Sequence, residues 1–455
     1  MDRLTLLARA RGAAVLGLGV SGIAAARYLL TLGVCPLYLI EEGAARDGAA
    51  VAELVRGGAH MAGAEALPEV GLLVRSPGVR MSHRLIREAY ARGITVTTEI
   101  GLYLDATRIP VLAVTGSDGK TTTTTLAHRI LTEAGRSVAL GGNIGASLLP
   151  TLADKSYELA LLELSSFQLL DAFPLGRGSA LPLAAAVTGI SENHLDFHGS
   201  MQEYVAAKRN IFAADTLRVL PLDAPETADM ARGAKEARFF SLAPPRALCP
   251  GYTCYYLDKG DIVRERDGER TLLANTEGFR LIGRHNLQNL LTAVALTDGL
   301  TNPTALKRAI LSAEPVPHRI EVVGCVHGVT YINSSIDSTP SRTRVTLTAL
   351  GRPVILLLGG AGKGTSLTPL LPLLPSHTRA TVTFGRDGDS IAAEIEQSGY
   401  GGILCRAGNF ESAVLCARGL AREGDTVLLS PACTSYDEFR DYTERGKRFA
   451  ALIGQ

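Results

Sequence analysis

Short apolar runs that end in glycine turns and lead into helices of 3.6-residue apolar period open three stretches of this chain. The first opening is AAVLGLGVSGIAAARYLL (13–30), with further strands predicted at Pro36–Ile40, Leu72–Val74 and Ile94–Thr97 and a helix around Ser82–Arg92. The second is VLAVTGSDGKTTTTTLAHRILTEAG (111–135), followed by strands at Leu159–Leu164 and Ala184–Thr188. Residues 238–282 are rich in β-forming types and contain Asp267-Gly268, the dipeptide of a tight hairpin turn. Helices are predicted from Asn286 to Leu300 and from Pro303, and Pro315 and Pro317 mark a linker. Beyond it, strands at Val329–Ile332, Val354–Leu358, Thr381–Phe384 and Thr426–Leu429 alternate with helices. Such alternation predicts parallel, doubly wound sheets.

Composition narrows the class. At 455 residues the chain exceeds what one core supports. It is 46% hydrophobic and 20% charged, as in ordinary soluble proteins, and its 48 glycines suit many strand-to-helix turns. A net charge of +1 advertises neither nucleic acid nor an anionic membrane as partner. The seven cysteines, mostly in apolar surroundings, read as reduced thiols, and Cys249 with Cys254 lack the second ligand pair a zinc site needs. Arg9 and Arg11 precede an apolar stretch, but its glycines fit a βα turn better than a signal peptide. No uncharged apolar run reaches the 18 or so residues of a membrane span. A cytoplasmic protein is expected.

The strongest chemical signal is Thr115-Gly116-Ser117-Asp118-Gly119-Lys120-Thr121. Its glycines let backbone N–H groups converge on a phosphate at a helix N-terminus. Lys120 would reach the β- and γ-phosphates and the Thr121 hydroxyl would ligate Mg²⁺. Val114 stands where the generic G-x-x-x-x-G-K-[ST] pattern has its first glycine. The bland alternative is a glycine turn with a surface lysine. GLGVSG (17–22) leaves three readings open: a dinucleotide site with Glu41 or Glu42 near the ribose, a ligand-free packed turn, or a nest for a nucleotide-sugar diphosphate. Glu163 ends one apolar strand and His194 follows another, so both would project from the strand ends that carry the phosphate loop and could hold Mg²⁺. Alone, each reads as a surface or capping residue, and Lys208 as a solvated helix residue. Gly359–Gly364 (GGAGKG) is a second glycine turn that could face an anion. The chain has no G-x-S-x-G or H-E-x-x-H motif, which disfavours nucleophile-based and zinc hydrolases.

With these residues in place, the sequence resembles the Mur ligases of peptidoglycan synthesis along nearly its whole length, and most of all their D-glutamate-adding branch. The resemblance is carried by GLGVSG, SPGV (76–79), TGSDGKTTT, GGNIG (141–145), ELSSFQL (163–169), ENHLDFHGS (192–200), GRHNLQN (283–289), His318-Arg319, LLGGAGKG (357–364) and SPACTSYDEF (430–439). It implies an α/β fold of three domains: a Rossmann-like UDP-sugar domain at 1–107, a central P-loop ATPase-like parallel sheet at 108–313 and a Rossmann-like amino-acid domain at 314–455. It assigns ATP to Thr115, Gly116, Ser117, Asp118, Gly119, Lys120, Thr121 and Thr122, with Asn286, Asn289 and Arg319. It assigns two Mg²⁺ ions to Thr121, Glu163, His194 and a carbamylated Lys208. Val20, Ser21, Ser76 and Asn143 would bind the UDP-muramoyl substrate; Ser338, Lys363, Ser435 and Tyr442 would bind the amino acid. Lys120, Glu163, His194 and Lys208 are the expected catalytic set, in a monomer without nucleic-acid or membrane partners.

Two departures stand out. Asn333-Ser334-Ser335-Ile336-Asp337-Ser338-Thr339 replaces an N-D-S-K-A-T-N-like segment, so Ser334 stands for an acidic residue and Ile336 for a lysine. Asp118 also stands where the family usually has Asn. The implied reaction activates a carboxylate as an acyl phosphate, then forms an amide through a tetrahedral intermediate that expels phosphate. Rival readings are a ligase for another amino acid, including a folate-type glutamate ligase, a nicotinamide dehydrogenase built on GLGVSG, and a non-catalytic P-loop protein.

Overall fold

The computed structural model describes residues 3–43, 48–172, 182–193, 195–246, 250–362 and 366–454, arranged on three sheets. The first comprises β1 (Ala13–Leu16), β2 (Leu37–Ile40), β3 (His60–Ala62), β4 (Leu72–Arg75) and β5 (Thr95–Thr97) in the order 3-2-1-4-5, all parallel. Along β1, Ala13 and Val15 enter one core and Ala14 and Leu16 the opposite one, because successive strand residues face opposite sides. A strand covered on both faces reads as a continuous apolar run.

The central sheet comprises β6 (Val111–Thr115), β7 (Val138–Gly142), β8 (Leu159–Glu163), β9 (Ala184–Val187), β10 (Leu217–Pro221), β11 (Ala237–Ser241), β12 (Thr253–Asp258), β13 (Asp261–Arg266) and β14 (Glu269–Asn275). Their order is 14-13-12-11-10-9-6-8-7, parallel except that β13 pairs antiparallel with both β12 and β14. The predicted hairpin joins β13 to β14, with Asp267 and Gly268 at φ 51° and 85°, the left-handed pair a two-residue turn requires.

The third sheet comprises β15 (Glu321–Val326), β16 (Val329–Asn333), β17 (Val354–Gly359), β18 (Thr378–Phe384), β19 (Ile403–Arg406) and β20 (Thr426–Ala432), in the order 15-16-20-17-18-19 with only β15 antiparallel. Ile355 and Leu357 face one core, Val354, Leu356 and Leu358 the other. Strands β3, β15 and β19 lie at sheet edges and are only partly buried, so each is short or broken by a polar residue or glycine and weakly marked in the sequence.

The chain forms two compact units, Met1–Phe279 with Leu287–Ser312, and Arg280–Asn286 with Ala313–Gln455. The first and central sheets therefore share a unit. The helix Glu99–Ala106 joins them: Ile100, Leu102, Tyr103 and Leu104 are buried in one cluster with Leu29 of the first domain and Leu149 and Leu162 of the second. A helix apolar around its circumference is one that must be covered on every side. Among the described residues, no helix is long and apolar enough to cross a membrane.

Candidate active site

In the central sheet β6 lies between β8 and β9, with Val114 beside Glu163 and Thr115 beside Val187. The carboxyl ends of three adjacent strands thus deliver the loop Gly116–Gly119, Glu163 and the segment from Thr188. His194 lies outside the described residues.

The loop is held closely from both sides. Gly116 has φ +148°, and a Cβ there would lie 1.9 Å from Thr188 Oγ1; one on Gly119 (φ +78°) would lie 2.2 Å from Asn289 Oδ1. Thr188 Oγ1 donates to Asp118 O at 2.5 Å, and Ser117 N to Gly189 O at 2.8 Å. Ser117 Oγ bonds Ser191 O and N at 2.8 and 2.9 Å and Tyr204 Oη at 3.0 Å. Asn289 Oδ1 accepts from Thr123 Oγ1 at 3.3 Å, while Asp118 is exposed, 3.5 Å from Ser191 Oγ. Gly119 is the N-cap of the helix Lys120–Glu133, which begins with Lys120, Thr121 and Thr122; Thr121 is half-buried and the Thr122 hydroxyl is buried without a partner among the described residues.

Lys120 Nζ donates to Gly116 O and Ser117 O, both at 2.9 Å. Lys208 Nζ reaches Gly116 O at 2.8 Å from the helix Met201–Arg209, whose N-cap Ser200 accepts from Glu203 N. Four residues apart on that helix, Tyr204 and Lys208 share a face, with Nζ 4.5 Å from the ring centroid. Lys208 is only 1% exposed, which reverses its sequence reading as a solvated residue. Burial, and then the charge of Lys120, push its amine down to about 6, with Asp118 opposing.

Glu163 is 1% exposed. Asn143 Nδ2 donates to its Oε1 at 2.8 Å and Asn143 N to its backbone O at 2.7 Å. Its Oε2 is buried with no partner among the described residues. An ionised oxygen left so is costly unless a cation meets it, so the carboxylate fits a metal ligand.

In the first sheet, β1 and β4 are neighbours at the point where strand order reverses, where doubly wound sheets bind ligands. Ser76 Oγ donates to Gly17 O at 2.6 Å. A Cβ on Gly22 would lie 2.0 Å from Gly17 O, which explains that glycine. Val20, 78% exposed, and half-buried Ser21 begin the helix Val20–Thr31. The Glu41 carboxylate accepts from Leu18 N at 2.6 Å and Glu42 N at 3.2 Å. It braces the glycine loop from the end of β2.

The second unit carries the remaining residues. Asn286 Nδ2 donates to Ile282 O at 2.7 Å, and half-buried Arg319 lies between His318 and Ile320, both at positive φ. Ser338 N donates to Ile336 O at 2.8 Å, Ser435 is buried, and Tyr442 O accepts from Ser335 Oγ at 2.8 Å. Lys363 lies outside the described residues. At the glycine turn before it, Gly362 N donates to the chain's own Asp387 at 2.5 Å. Ser334 is fully buried, its Oγ accepting from Ile320 N at 3.3 Å. Asp337 is buried too, accepting from Thr346 and Ser430 hydroxyls at 2.7 and 2.8 Å. Arg445, which no motif signals, is fully buried and donates to Ser335 O, Cys433 O and Thr434 O, joining the two segments that hold Ser338 and Ser435. In the first unit Thr188 and Tyr204 were equally invisible; Tyr204 had one signal, its i−4 spacing from Lys208.

Three α/β domains with a phosphate-loop turn in the middle sheet define a multidomain nucleotide-loop protein. Family models match in the same order: Mur ligase MurD-like N-terminal domain at 11–98, Mur ligase middle domain at 114–297 and Mur ligase glutamate ligase domain at 318–433. The UDP-N-acetylmuramoylalanine–D-glutamate ligase of Symbiobacterium thermophilum is 38% identical over 451 residues, covering 97% of each chain. That of Nitrosospira multiformis is 35% identical over 469 residues, covering 96% of this chain and 94% of its own. Among solved structures, UDP-N-acetylmuramate-alanine ligase MurC of Thermotoga maritima has a TM-score of 0.59 at 17% identity, covering 98% and 99%. MurF ligase of the same organism, in complex with ADP, has 0.61 at 17%, covering 92% and 95%. The chain belongs to the Mur ligase family, in its MurD-like branch.

Proposed function

We propose that the chain is an ATP-dependent ligase that adds D-glutamate to UDP-N-acetylmuramoyl-L-alanine, releasing ADP and phosphate in the cytoplasm. The observation that supports it most is the phosphate-loop turn Gly116–Gly119 flanked by the buried Lys208 amine and by a Glu163 carboxylate oxygen that has no partner among the described residues. The N–H groups of the turn and the Lys120 ammonium would cradle the triphosphate, with Asn286, Asn289 and Arg319 on the nucleotide. Val20, Ser21, Ser76 and Asn143 would hold the UDP-sugar so that its carboxylate meets the γ-phosphate. Positioning and charge neutralisation then do most of the work. The substrate carboxylate oxygen takes the γ-phosphoryl group from ATP, and ADP leaves. The amine held by Ser338, Lys363, Ser435 and Tyr442 attacks the acyl carbon, and phosphate leaves from the tetrahedral intermediate.

Mg²⁺, when bound, would neutralise the transferring phosphoryl oxygens. Thr121, Glu163, His194 and Lys208 would hold it, the last only once carbon dioxide has turned its amine into a carbamate. A neutral amine is the form that reacts with carbon dioxide, and burial keeps Lys208 in that form.

The test is phosphate release and amide formation with the UDP-muramoyl substrate across a panel of D- and L-amino acids. Stimulation by D-glutamate alone is expected. Ile336 and buried Ser334 favour one alternative, a Mur-type ligase for a different amino acid. Stimulation by another member of the panel and not by D-glutamate would establish that instead.

A further inference from the structure

Arg75 ends β4, yet it is only 1% exposed. Its guanidinium donates to Val79 O at 3.0 Å and Ser76 O at 3.5 Å on one side, and to Phe167 O at 2.9 Å on the other. The first two acceptors belong to the turn closed by Val79 N on Ser76 O at 3.0 Å, the turn whose Ser76 bonds the glycine loop. The third lies in the helix Ser166–Ala172, four residues beyond Glu163. From there the contacts continue. The Phe167 ring meets Phe197 edge-on at 4.4 Å and stacks on His198 at 5.5 Å. His198 bonds Ser166 Oγ at 2.9 Å and tilts against Tyr204, which bonds Ser117 of the phosphate loop. All of these residues belong to one compact unit.

We infer that Arg75 is a positioning residue: one buried guanidinium ties the Ser76 turn to the segment after Glu163, setting the acyl substrate in register with the phosphate loop. This rests on the ligase reading above. A planar fork can serve carbonyls on two sides at once; an ammonium concentrates its donors at one point. A displacement of about 1 Å in a reacting pair is enough to lower turnover a hundredfold.

Arg75→Lys and Arg75→Met in the full chain test it, through kcat, both KM values and the ratio of phosphate released to amide formed. In both variants the KM for the UDP-muramoyl substrate should rise about tenfold while that for ATP stays within about twofold. Phosphate release should exceed amide formation, as water takes the acyl phosphate back to carboxylate and phosphate. A merely structural role would raise both KM values together at one amide per phosphate, and that result overturns the inference. So does unaltered behaviour of both variants, or failure of both to fold. If the unaltered chain shows no amino-acid-dependent turnover, only the ligase reading falls. Calorimetric titration with the UDP-sugar then decides for Arg75: about tenfold weaker binding upholds it, equal binding overturns it.

Discussion

Lys120 and Lys208 reach one backbone oxygen, that of Gly116, at 2.9 and 2.8 Å from two different helices. Two ammonium groups cannot share a carbonyl cheaply out of water, and the more buried of them gives up its proton. With its amine pushed down to about 6, Lys208 is uncharged at neutral pH.

Carbamylation should follow from that state. Amine and carbon dioxide give a carbamate and a proton, so ¹³C-bicarbonate at pH 7.5 should produce one protein-bound carbamate resonance. Lys208→Met should lack it. Below about pH 6 the amine is protonated, and activity should fall and become dependent on added bicarbonate. A spectrum without that resonance, with activity indifferent to bicarbonate, would remove Lys208 from the metal site.

Stability in carbon-dioxide-free buffer should carry the same signature. The Lys208 amine binds its proton near 10.5 when unfolded and near 6 when folded, so between those values the unfolded chain holds the extra proton. Stability must therefore rise with pH across this window and be flat, for this group, below it. Lys208→Met should exceed the wild type in stability most below pH 6, the gap closing toward pH 10. Denaturant titrations at several pH values would show it; a gap that widens with pH would contradict the assigned burial.

Replacing Lys120 by Ala should lower turnover by about a thousandfold or more, because in the proposed reaction its charge would meet the transferring phosphoryl group. Binding of the UDP-muramoyl substrate, measured by calorimetry, should change little. Near-normal rates would refute the phosphate-loop assignment.

Glu163→Gln keeps an oxygen for the Asn143 amide while removing a charge that meets no partner among the described residues. The melting temperature should hold or rise, since a buried uncompensated carboxylate costs stability. Turnover should drop about a hundredfold to a thousandfold, with a raised Mg²⁺ requirement. If Mg²⁺ dependence and rate both match the wild type, Glu163 is no metal ligand.

Gly116→Ala would push a methyl carbon to 1.9 Å from Thr188 Oγ1 and strain a backbone at φ +148°. A loss of about 1–3 kcal/mol is expected, together with weakened ATP binding. A chain with unchanged melting temperature and nucleotide affinity would show that the loop tolerates rearrangement.

Much of this was readable because it is local. A phosphate loop needs its glycines and lysine at fixed spacing, and the Asp267-Gly268 hairpin needs two left-handed residues in succession. Glu163 was legible as the residue that ends an apolar strand; its pairing with His194 rests on a residue outside the described ones. Arg75, Arg445 and Thr188 were not, because nothing near them in sequence distinguishes a buried guanidinium or hydroxyl from an exposed one.

The sequence by itself determined the alternating α/β class, most of the interior strands, the glycine-loop motif and the family, since these depend on periodicity and contiguous residues. Only the tertiary structure decided that Lys208 is buried and neutral, that one Glu163 oxygen has no partner among the described residues, and that Glu41 braces a glycine loop. Those are consequences of desolvation and of contacts between residues far apart in the chain, such as Gly116 and Lys208, which no local pattern encodes.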